Sequence, residues 1–351
     1  MSVDKSWDPG YNHVRIAGHR HTGAPRKSEY NITEELLMRY GFGIDVGGTT
    51  VKLAFLDENG TMKDKWEIPT RTEDGGKNVL PDIAASVKEY MEKENLTNDQ
   101  IIGIGIGVPG PISEAGIVNK CVNLGWDRVD LHGDLSVLTG LHVKGGNDAN
   151  VAALGECWKG GGQGASDLIM ATLGTGVGGG IIVGGRIIAG FHGAGGEIGH
   201  FTVNPDEPET CGCGKHGCVE QYCSATGVVR LTKRYLAAHD TPSVLRDTAF
   251  ECKDVFAAAA KGDEVACTVL EQVYEILGQF LANLACVTDP EVIVLGGGVS
   301  KAGQPLIDGV TKYYHKYAFH ACRSTRISLA TLGNDAGAYG AFKLALDEFG
   351  A

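Results

Sequence analysis

Apolar runs that end in glycine recur along the chain and predict strands that stop at tight turns. Residues 40–57 are typical of a strand, a glycine turn and a second strand, and residues 167–183 repeat this arrangement. Further buried strands are predicted at residues 101–108, 141–144 and 291–295. Because glycine lets the backbone turn and approach a ligand closely, these strand ends are the first places to search for a site.

Runs with a helical period lie between the predicted strands. Amphipathic helices are predicted over residues 79–94, 223–240 and 254–287, an apolar helix over 151–156, and a final small-residue helix from about 332. Residues 1–40 are polar and are interpreted as a mostly irregular extension. A short helix over about 32–40 is predicted there, because Asn31 resembles an N-cap followed by Glu34.

The two strand–glycine–strand units carry the groups that a phosphate site needs. The first unit offers Asp45, Gly47, Gly48, Thr49 and Thr50, and the second offers Gly174, Thr175 and Gly176. Backbone N–H groups and threonine hydroxyls donate to an anion, and Asp45 is placed to hold Mg²⁺ through water. Either turn alone is weak evidence. Together they predict a duplicated domain that clamps one phosphate chain between its halves.

A third glycine cluster follows the strand predicted at 291–295. Gly296, Gly297 and Gly298 are expected to open a helix, whose free N–H groups and positive dipole end suit a nucleotide. The small residues of the final helix permit either close packing or the approach of an adenine.

Asp148 lies where a predicted strand gives way to a helix, in the run Gly145-Gly146-Asn147-Asp148-Ala149-Asn150. Its side chain is either the helix N-cap or a general base, and the second role requires a hydroxyl within hydrogen-bond reach. The rigid Pro109-Gly110-Pro111 loop likewise either contacts a substrate or only turns the chain.

Three cysteines and a histidine cluster within residues 197–220. Cys211, Cys213 and Cys218 follow His200 in a glycine-rich loop, which Glu197 and Glu220 flank. Three thiolates and an imidazole suit tetrahedral Zn²⁺, and the alternatives are a disulfide or reduced thiols without a metal. The other cysteines stand singly, mostly among apolar neighbours, as small core residues do.

Charge and composition narrow the classes of function. The formal net charge of -12 argues against a nucleic-acid-binding surface, which would need a basic face. The sequence has neither an apolar run of membrane-spanning length nor a signal-peptide core, and its single cysteines fit a reducing compartment, so a cytoplasmic protein is expected. Its 351 residues allow two packed domains.

In combination, these motifs resemble those of the ROK family of sugar kinases and repressors, within the hexokinase and actin-like ATPase superfamily, over residues 41–350 in order. The resemblance implies an α/β fold of two duplicated, ribonuclease-H-like domains with a cleft between them. Residues 41–147 would form a small domain that the helix at 336–351 completes. Residues 148–335 would form a large domain with the zinc loop.

The resemblance also implies roles for individual residues. Asp148 matches the catalytic base, the two strand–glycine–strand turns match the phosphate sites of Mg²⁺-ATP, and His200 would join the three cysteines on a structural zinc. The residues that match sugar-hydroxyl ligands are Asn147, Glu197, His200 and Glu220, with Gly110 as a further predicted substrate contact. Within the family the glucokinases look most similar, so ATP-dependent phosphorylation of glucose at its 6-hydroxyl is expected. A homo-oligomer, with the dimer as the expected state, is also implied.

Two alternatives stay open at this point. The same chemistry could serve fructose, mannose or an N-acetylhexosamine, which the loops do not separate. A sugar-responsive repressor would need a helix–turn–helix ahead of Asp45, where one short helix is predicted, so that function is disfavoured. Zinc is expected to be remote from phosphoryl transfer, and its removal to impair sugar binding before chemistry.

Overall fold

A computed structural model describes residues 38–351 of the chain. The N-terminal extension and most of the short helix predicted over about 32–40 lie outside the described residues. The last residue of that predicted helix, Tyr40, already begins a strand.

The first of two five-stranded sheets contains the first glycine turn. Its strands are β1 (Tyr40–Val46), β2 (Thr50–Asp57), β3 (Met62–Pro69), β4 (Ile101–Val108) and β7 (Val143–Asn147), and the two-residue strands β5 (Ile117–Val118) and β6 (Val129–Asp130) pair separately. The order is β3-β2-β1-β4-β7. β1, β4 and β7 run parallel, whereas β2 and β3 extend the sheet as antiparallel strands.

The second sheet contains the second glycine turn and repeats this topology. Its strands are β8 (Leu168–Leu173), β9 (Val177–Val183), β10 (Arg186–Ile187), β11 (Val292–Gly296) and β12 (Arg326–Leu329). The order β10-β9-β8-β11-β12 again joins an antiparallel meander to two parallel strands. The sheets are therefore duplicates, as the repeated glycine turns predicted. The predicted domain boundary, between residues 147 and 148, falls between β7 and the following helix and stays a prediction.

Helices cover both sheets. They are α1 (Val79–Lys93), α2 (Leu131–Thr139), α3 (Asp148–Lys159), α4 (Glu220–Cys223), α5 (Ala225–Ala238), α6 (Cys252–Ala259), α7 (Glu264–Thr288), α8 (Gln304–Tyr317) and α9 (Ala336–Phe349), with a helical turn at Glu73–Gly76. The prediction of a single helix over 254–287 is wrong, because α6 ends at Ala259 and α7 begins at Glu264. The carboxylate of Asp263 caps α7 by accepting from the Ala266 N–H at 3.0 Å. Within residues 38–351, no helix has the length and apolarity needed to cross a membrane.

Helix α9 packs directly on the first sheet and on α3, and glycine makes this close approach possible. A Cβ on Gly105 of β4 would overlap the carbonyl oxygen of Ala341, and one on Gly340 would overlap that of Val151. The opposite face of β4 carries Ile104 and Ile106, which are fully buried in the core. The small residues of α9 therefore serve close packing.

A buried carboxylate joins α3 to the loop that leads into α9. Glu156 is fully buried and accepts backbone hydrogen bonds from Gly161 at 2.8 Å, Thr331 at 3.0 Å and Leu332 at 2.9 Å. Since a buried carboxylate is tolerated only when its oxygens are satisfied, these bonds fix the end of α3 against the start of α9.

A second buried carboxylate anchors the loop that carries the clustered cysteines. Glu207 is 3% exposed and accepts from Arg234 at 2.6 Å, Tyr222 at 2.6 Å and Arg230 at 3.1 Å. Hydrogen bonds from Arg234, and then from Tyr222 and Arg230, outweigh burial and hold the pKa of Glu207 well below its usual range. The loop is therefore tied to α5 without any metal.

We expect Glu207→Gln to lower the free energy of unfolding at pH 7 by about 3 kcal/mol, because two guanidinium groups lose their buried partner. Since the folded-state pKa is lowered, this contribution is complete above the ordinary value of 4.5 and is lost as the pH falls below it. Denaturant unfolding of both proteins between pH 7 and pH 3 measures the difference. Glu209→Gln, at an exposed partner of the same arginines, is the control and should cost less; an equal cost of Glu207→Gln at both pH values would contradict the account.

Candidate active site

The two glycine turns lie on either side of the start of α3. The carboxylate of Asp45, which precedes the first turn, is close enough to Asp148 for its charge to raise the pKa of Asp148. Beyond the second turn, Gly178 of β9 packs beside Ala149, the second residue of α3. The structure thus brings together the two turns and the predicted base, although they are distant in sequence.

The turns themselves are closed by short backbone hydrogen bonds. In the first, the Gly47 N–H donates to the Thr50 carbonyl at 3.0 Å, and in the second the Gly174 N–H donates to that of Gly176 at 2.9 Å. Gly48, Thr49 and Thr175 at the tips are exposed. Their remaining N–H and hydroxyl groups are available to donate to phosphate oxygens.

Asp45 has the environment of a carboxylate that a cation stabilises. Burial raises its pKa, and the ammonium of Lys52, its partner across the β1–β2 hairpin, opposes this from 3.8 Å. That separation is too long for a hydrogen bond. A half-buried carboxylate held in this way gains from further positive charge, so Asp45 fits a hydrated Mg²⁺. The sequence did not single out Lys52, since its role depends on strand register.

Asp148 is the first residue of α3, but it is not the N-cap. Asn147 takes that role, because its side-chain oxygen accepts from the N–H groups of Ala149 at 3.1 Å and Asn150 at 3.2 Å. Burial raises the pKa of Asp148, the Ala149 N–H opposes this, and the carboxylates of Asp45 and Glu197 raise it further. A carboxylate whose pKa is raised in a cleft is suited to accept a proton.

The start of α3 also holds two neighbouring loops in place. The amide of Asn147 donates to the carbonyl of Gly110 at 3.2 Å, and that of Asn150 donates to Gly195 at 3.0 Å. Asn150 is 3% exposed, and within residues 38–351 its side-chain oxygen has no hydrogen-bond partner. Sequence reasoning gave Asn150 no role. Its only signal was its place in the same short run as Asp148.

The four predicted zinc ligands converge. One potential ligand atom from each of His200, Cys211, Cys213 and Cys218 lies within 4.8 Å of all the others. The Cys213 and Cys218 sulfurs are 3.6 Å apart, and Nδ1 of His200 is 3.8 Å from the Cys211 sulfur. Tetrahedral zinc with Zn–S bonds of about 2.3 Å separates its sulfurs by about 3.8 Å. The donor set therefore fits Zn²⁺, and all three cysteines are free of disulfides.

The two carboxylates that flank this loop are placed beside the cluster. Glu197 is exposed and immediately precedes the 3₁₀ helix Ile198–His200, so its position is tied to that of His200. Glu220 is the first residue of α4, and its Oε1 is 3.6 Å from the Cys211 sulfur. Because Nδ1 of His200 faces the cluster, its Nε2 is left for another partner.

The third glycine cluster differs from its prediction. Gly296 is the buried last residue of β11, while Gly297 and Gly298 are exposed. A four-residue 3₁₀ helix, Val299–Ala302, follows, and α8 begins only at Gln304. The expectation of an α-helix at these glycines is wrong, so a helix dipole does not support a nucleotide there. The N–H groups of these two exposed glycines remain candidates for phosphate binding.

Comparisons with known proteins find a family match over nearly all of the described residues. Residues 41–348 match the model of the ROK family. The chain is 43% identical over 308 residues to a glucokinase of Halalkalibacterium halodurans, covering 86% of this chain and 93% of that protein.

Solved structures share the fold. A ROK hexokinase from Thermus thermophilus has a TM-score of 0.75 at 31% identity, covering 88% of this chain and 98% of that one. A ROK family glucokinase from Streptomyces griseus, in complex with glucose and AMPPNP, has a TM-score of 0.66 at 33% identity, covering 88% and 99%. The predicted two-domain, actin-like α/β fold is thereby confirmed. The family match over residues 41–348, together with this identity over nearly the whole length of a relative, shows that the chain belongs to the ROK family.

Proposed function

We propose that this protein is an ATP-dependent glucokinase, which transfers the γ-phosphoryl group of ATP to the 6-hydroxyl of glucose. The observation that carries the proposal is the position of Asp148, half-buried at the start of α3 and within electrostatic reach of both Asp45 and Glu197. A base thus stands between a phosphate turn and a predicted sugar ligand. The similarity to named glucokinases supports the choice of glucose.

Asp148 acts as the general base. As the 6-hydroxyl oxygen attacks the γ-phosphorus, its proton passes to the Asp148 carboxylate while the bond to the leaving ADP breaks. Such proton transfer contributes about 10²–10⁴-fold to a rate. The raised pKa of Asp148 makes the carboxylate a stronger base than one in water.

The sugar is held by groups that accept or donate at several hydroxyls. These groups are Asn147, Glu197, Nε2 of His200 and Glu220, with the Gly110 loop beside Asn147. A site made of polar side chains rejects sugars that lack a matching hydroxyl, because its own groups are then left unpaired.

The phosphates are held mainly by backbone N–H groups. Gly47 and Gly174 close the two turns with their own N–H groups. The phosphate donors are the N–H groups of Gly48, Thr49 and Thr50 in the first turn, of Thr175 and Gly176 in the second, and of Gly297 and Gly298 after β11. Mg²⁺, held through water by Asp45, would supply the positive charge that offsets the transferred phosphoryl group. Lys52 offsets the charge of Asp45 itself, which limits repulsion in an acidic chain.

The cluster of His200, Cys211, Cys213 and Cys218 is proposed as a structural zinc site. Its four protein ligands leave no open position of the kind that catalytic zinc requires. When bound, zinc would fix the loop and the ring of His200, so that Nε2 faces the sugar. The homodimer and the cytoplasmic location stay predictions.

The base is tested by Asp148→Asn. We expect kcat to fall about 10²–10⁴-fold. The folded protein should keep or gain thermal stability, because a raised pKa means that the ionised carboxylate is disfavoured in the folded state above pH 3.8. A coupled assay for ADP and a thermal melt measure the two effects. Asp99→Asn, an exposed carboxylate beside the opposite end of β4, is the control, and near-normal turnover of Asp148→Asn would refute the assignment.

The zinc is tested by Cys213→Ser. The variant should lose zinc, melt at a lower temperature and bind glucose more weakly, because the loop loses its closure. Elemental analysis, a thermal melt and calorimetric titration with glucose measure these changes, with Cys267→Ser, an exposed cysteine outside the cluster, as control. A wild-type protein that is free of metal and fully active would contradict a structural zinc.

The substrate is tested by a panel of hexoses with Mg²⁺-ATP. We expect the highest kcat/KM for glucose, ahead of mannose, fructose and N-acetylglucosamine. A higher kcat/KM for any of the others would replace glucose as substrate while leaving the base in place.

A further inference from the structure

Glu220 touches both the cysteine cluster and the second phosphate turn. Its Oε2 accepts a hydrogen bond from the Val177 N–H at 3.1 Å, at the residue that ends this turn and begins β9. Its Oε1 is 3.6 Å from the sulfur of Cys211. One carboxylate therefore spans two features that the sequence separates by more than thirty residues.

A second contact holds the other end of the same turn. The Ala225 N–H, just after α4, donates to the carbonyl of Gly174 at 2.8 Å. Residues 220–225 thus hold the turn at both of its ends. Gly176 admits the carboxylate, since a Cβ there would overlap Oε2 of Glu220.

Only Val219 separates Glu220 from Cys218, and the backbone N–H groups of Cys218 and Val219 are both hydrogen-bonded. Cys218 stands two residues earlier, and its N–H donates to the side chain of Gln221 at 3.1 Å. The intervening Val219 is fully buried, and its N–H donates at 2.9 Å to the carbonyl of Phe201, the residue after His200. Because these residues are restrained, a displacement of the cysteines is expected to displace Glu220 as well.

We propose that Glu220 is a positioning residue that links the Cys₃His cluster to the phosphate turn at residues 174–176, so that sugar and nucleotide bind cooperatively. The inference rests on the proposed function, in which Glu220 faces a sugar hydroxyl. Binding at one side of its carboxylate then orders the other side. The proposal differs from the expectation that zinc is remote from phosphoryl transfer, because loss of zinc would loosen the phosphate turn as well as the sugar loop.

The proposed link can be measured as the coupling factor between glucose and AMPPNP binding, which a purely structural role of Glu220 would not change. Coupling between two ligands is reciprocal, so glucose must tighten AMPPNP by the same factor by which AMPPNP tightens glucose. In zinc-loaded wild type we expect a factor of about ten, equivalent to about 1.4 kcal/mol. Calorimetric titrations of each ligand, with and without saturating amounts of the other and with Mg²⁺ present, measure it.

Variants on the sugar side separate the link from sugar binding alone. Glu220→Ala should weaken AMPPNP in the absence of glucose and bring the coupling factor close to one. Glu220→Gln should keep part of the coupling, because its amide oxygen can still accept from Val177. Glu197→Ala, at the carboxylate on the other flank of the cysteine loop, is the matched control and should weaken glucose while keeping the coupling.

A variant on the phosphate side tests the same contact from the opposite direction. Gly176→Ala displaces the carboxylate without changing it or any cysteine, and should weaken glucose about tenfold. Gly174→Ala adds a methyl group to the same turn where the nearest atom is 4.0 Å away, and should change glucose affinity far less than Gly176→Ala does. This pair decides the question even if Glu220→Ala folds poorly.

Amide hydrogen exchange supplies a readout that is independent of turnover. Removing zinc from wild type with a chelator should speed exchange in the peptide that covers residues 174–177, and Glu220→Ala with zinc bound should show the same increase. Unchanged exchange in both, or wild-type coupling in Glu220→Ala and Gly176→Ala, would overturn the link. A protein that prefers another hexose, or turns over none, would instead overturn the proposed function. The hydrogen-exchange test of the link does not depend on turnover and still applies. If another hexose binds, the titrations use that hexose in place of glucose.

Discussion

The start of α3 is the constraint on which the rest of the site depends. It places Asp148 at the end of β7, and Asn147 and Asn150 on either side of Asp148 hold the Gly110 and Gly195 carbonyls. The far end of the same helix is fixed by the buried Glu156, and its middle packs on α9 through Gly340. A helix fixed at both ends can hold the proposed base, Asp148, at a constant position relative to the two loops.

Electrostatics explain why the site can work in an acidic protein. Burial, and then the charges of Asp45 and Glu197, raise the pKa of Asp148, and the chain carries a net charge of -12. Phosphates are therefore better held by backbone N–H groups and a divalent cation than by a positive field. The repulsion between Asp148 and its neighbours also keeps it a stronger base than an isolated aspartate.

Local sequence patterns predicted much of the fold and of the candidate site, because strands, turns and clustered metal ligands are specified by residues that are close in sequence. The repeated glycine turn predicted a duplicated fold, and the structure has two sheets of the same topology. The spacing of three cysteines after His200 predicted a cluster, and the four side chains converge. What could not be predicted depends on contacts between distant segments. The pairing of Lys52 with Asp45 requires the strand register, and the bond from Val177 to Glu220 requires the folded loop.

One open alternative, that Asp148 caps α3, and one prediction, that a helix begins at the glycines after β11, fail for local physical reasons. The cap of α3 is Asn147, because that residue keeps extended backbone geometry while Asp148 already turns into the helix. The glycines after β11 lead to a 3₁₀ helix and a further glycine, Gly303, before α8, and residue types alone do not separate this from one continuous helix.

A crystal structure of the protein with glucose and AMPPNP tests the central claim most directly. We predict that the 6-hydroxyl oxygen lies about 2.6–3.2 Å from a carboxylate oxygen of Asp148, on the side that faces the γ-phosphate. A different hydroxyl in that position, or a 6-hydroxyl beyond hydrogen-bond reach of Asp148, would contradict it.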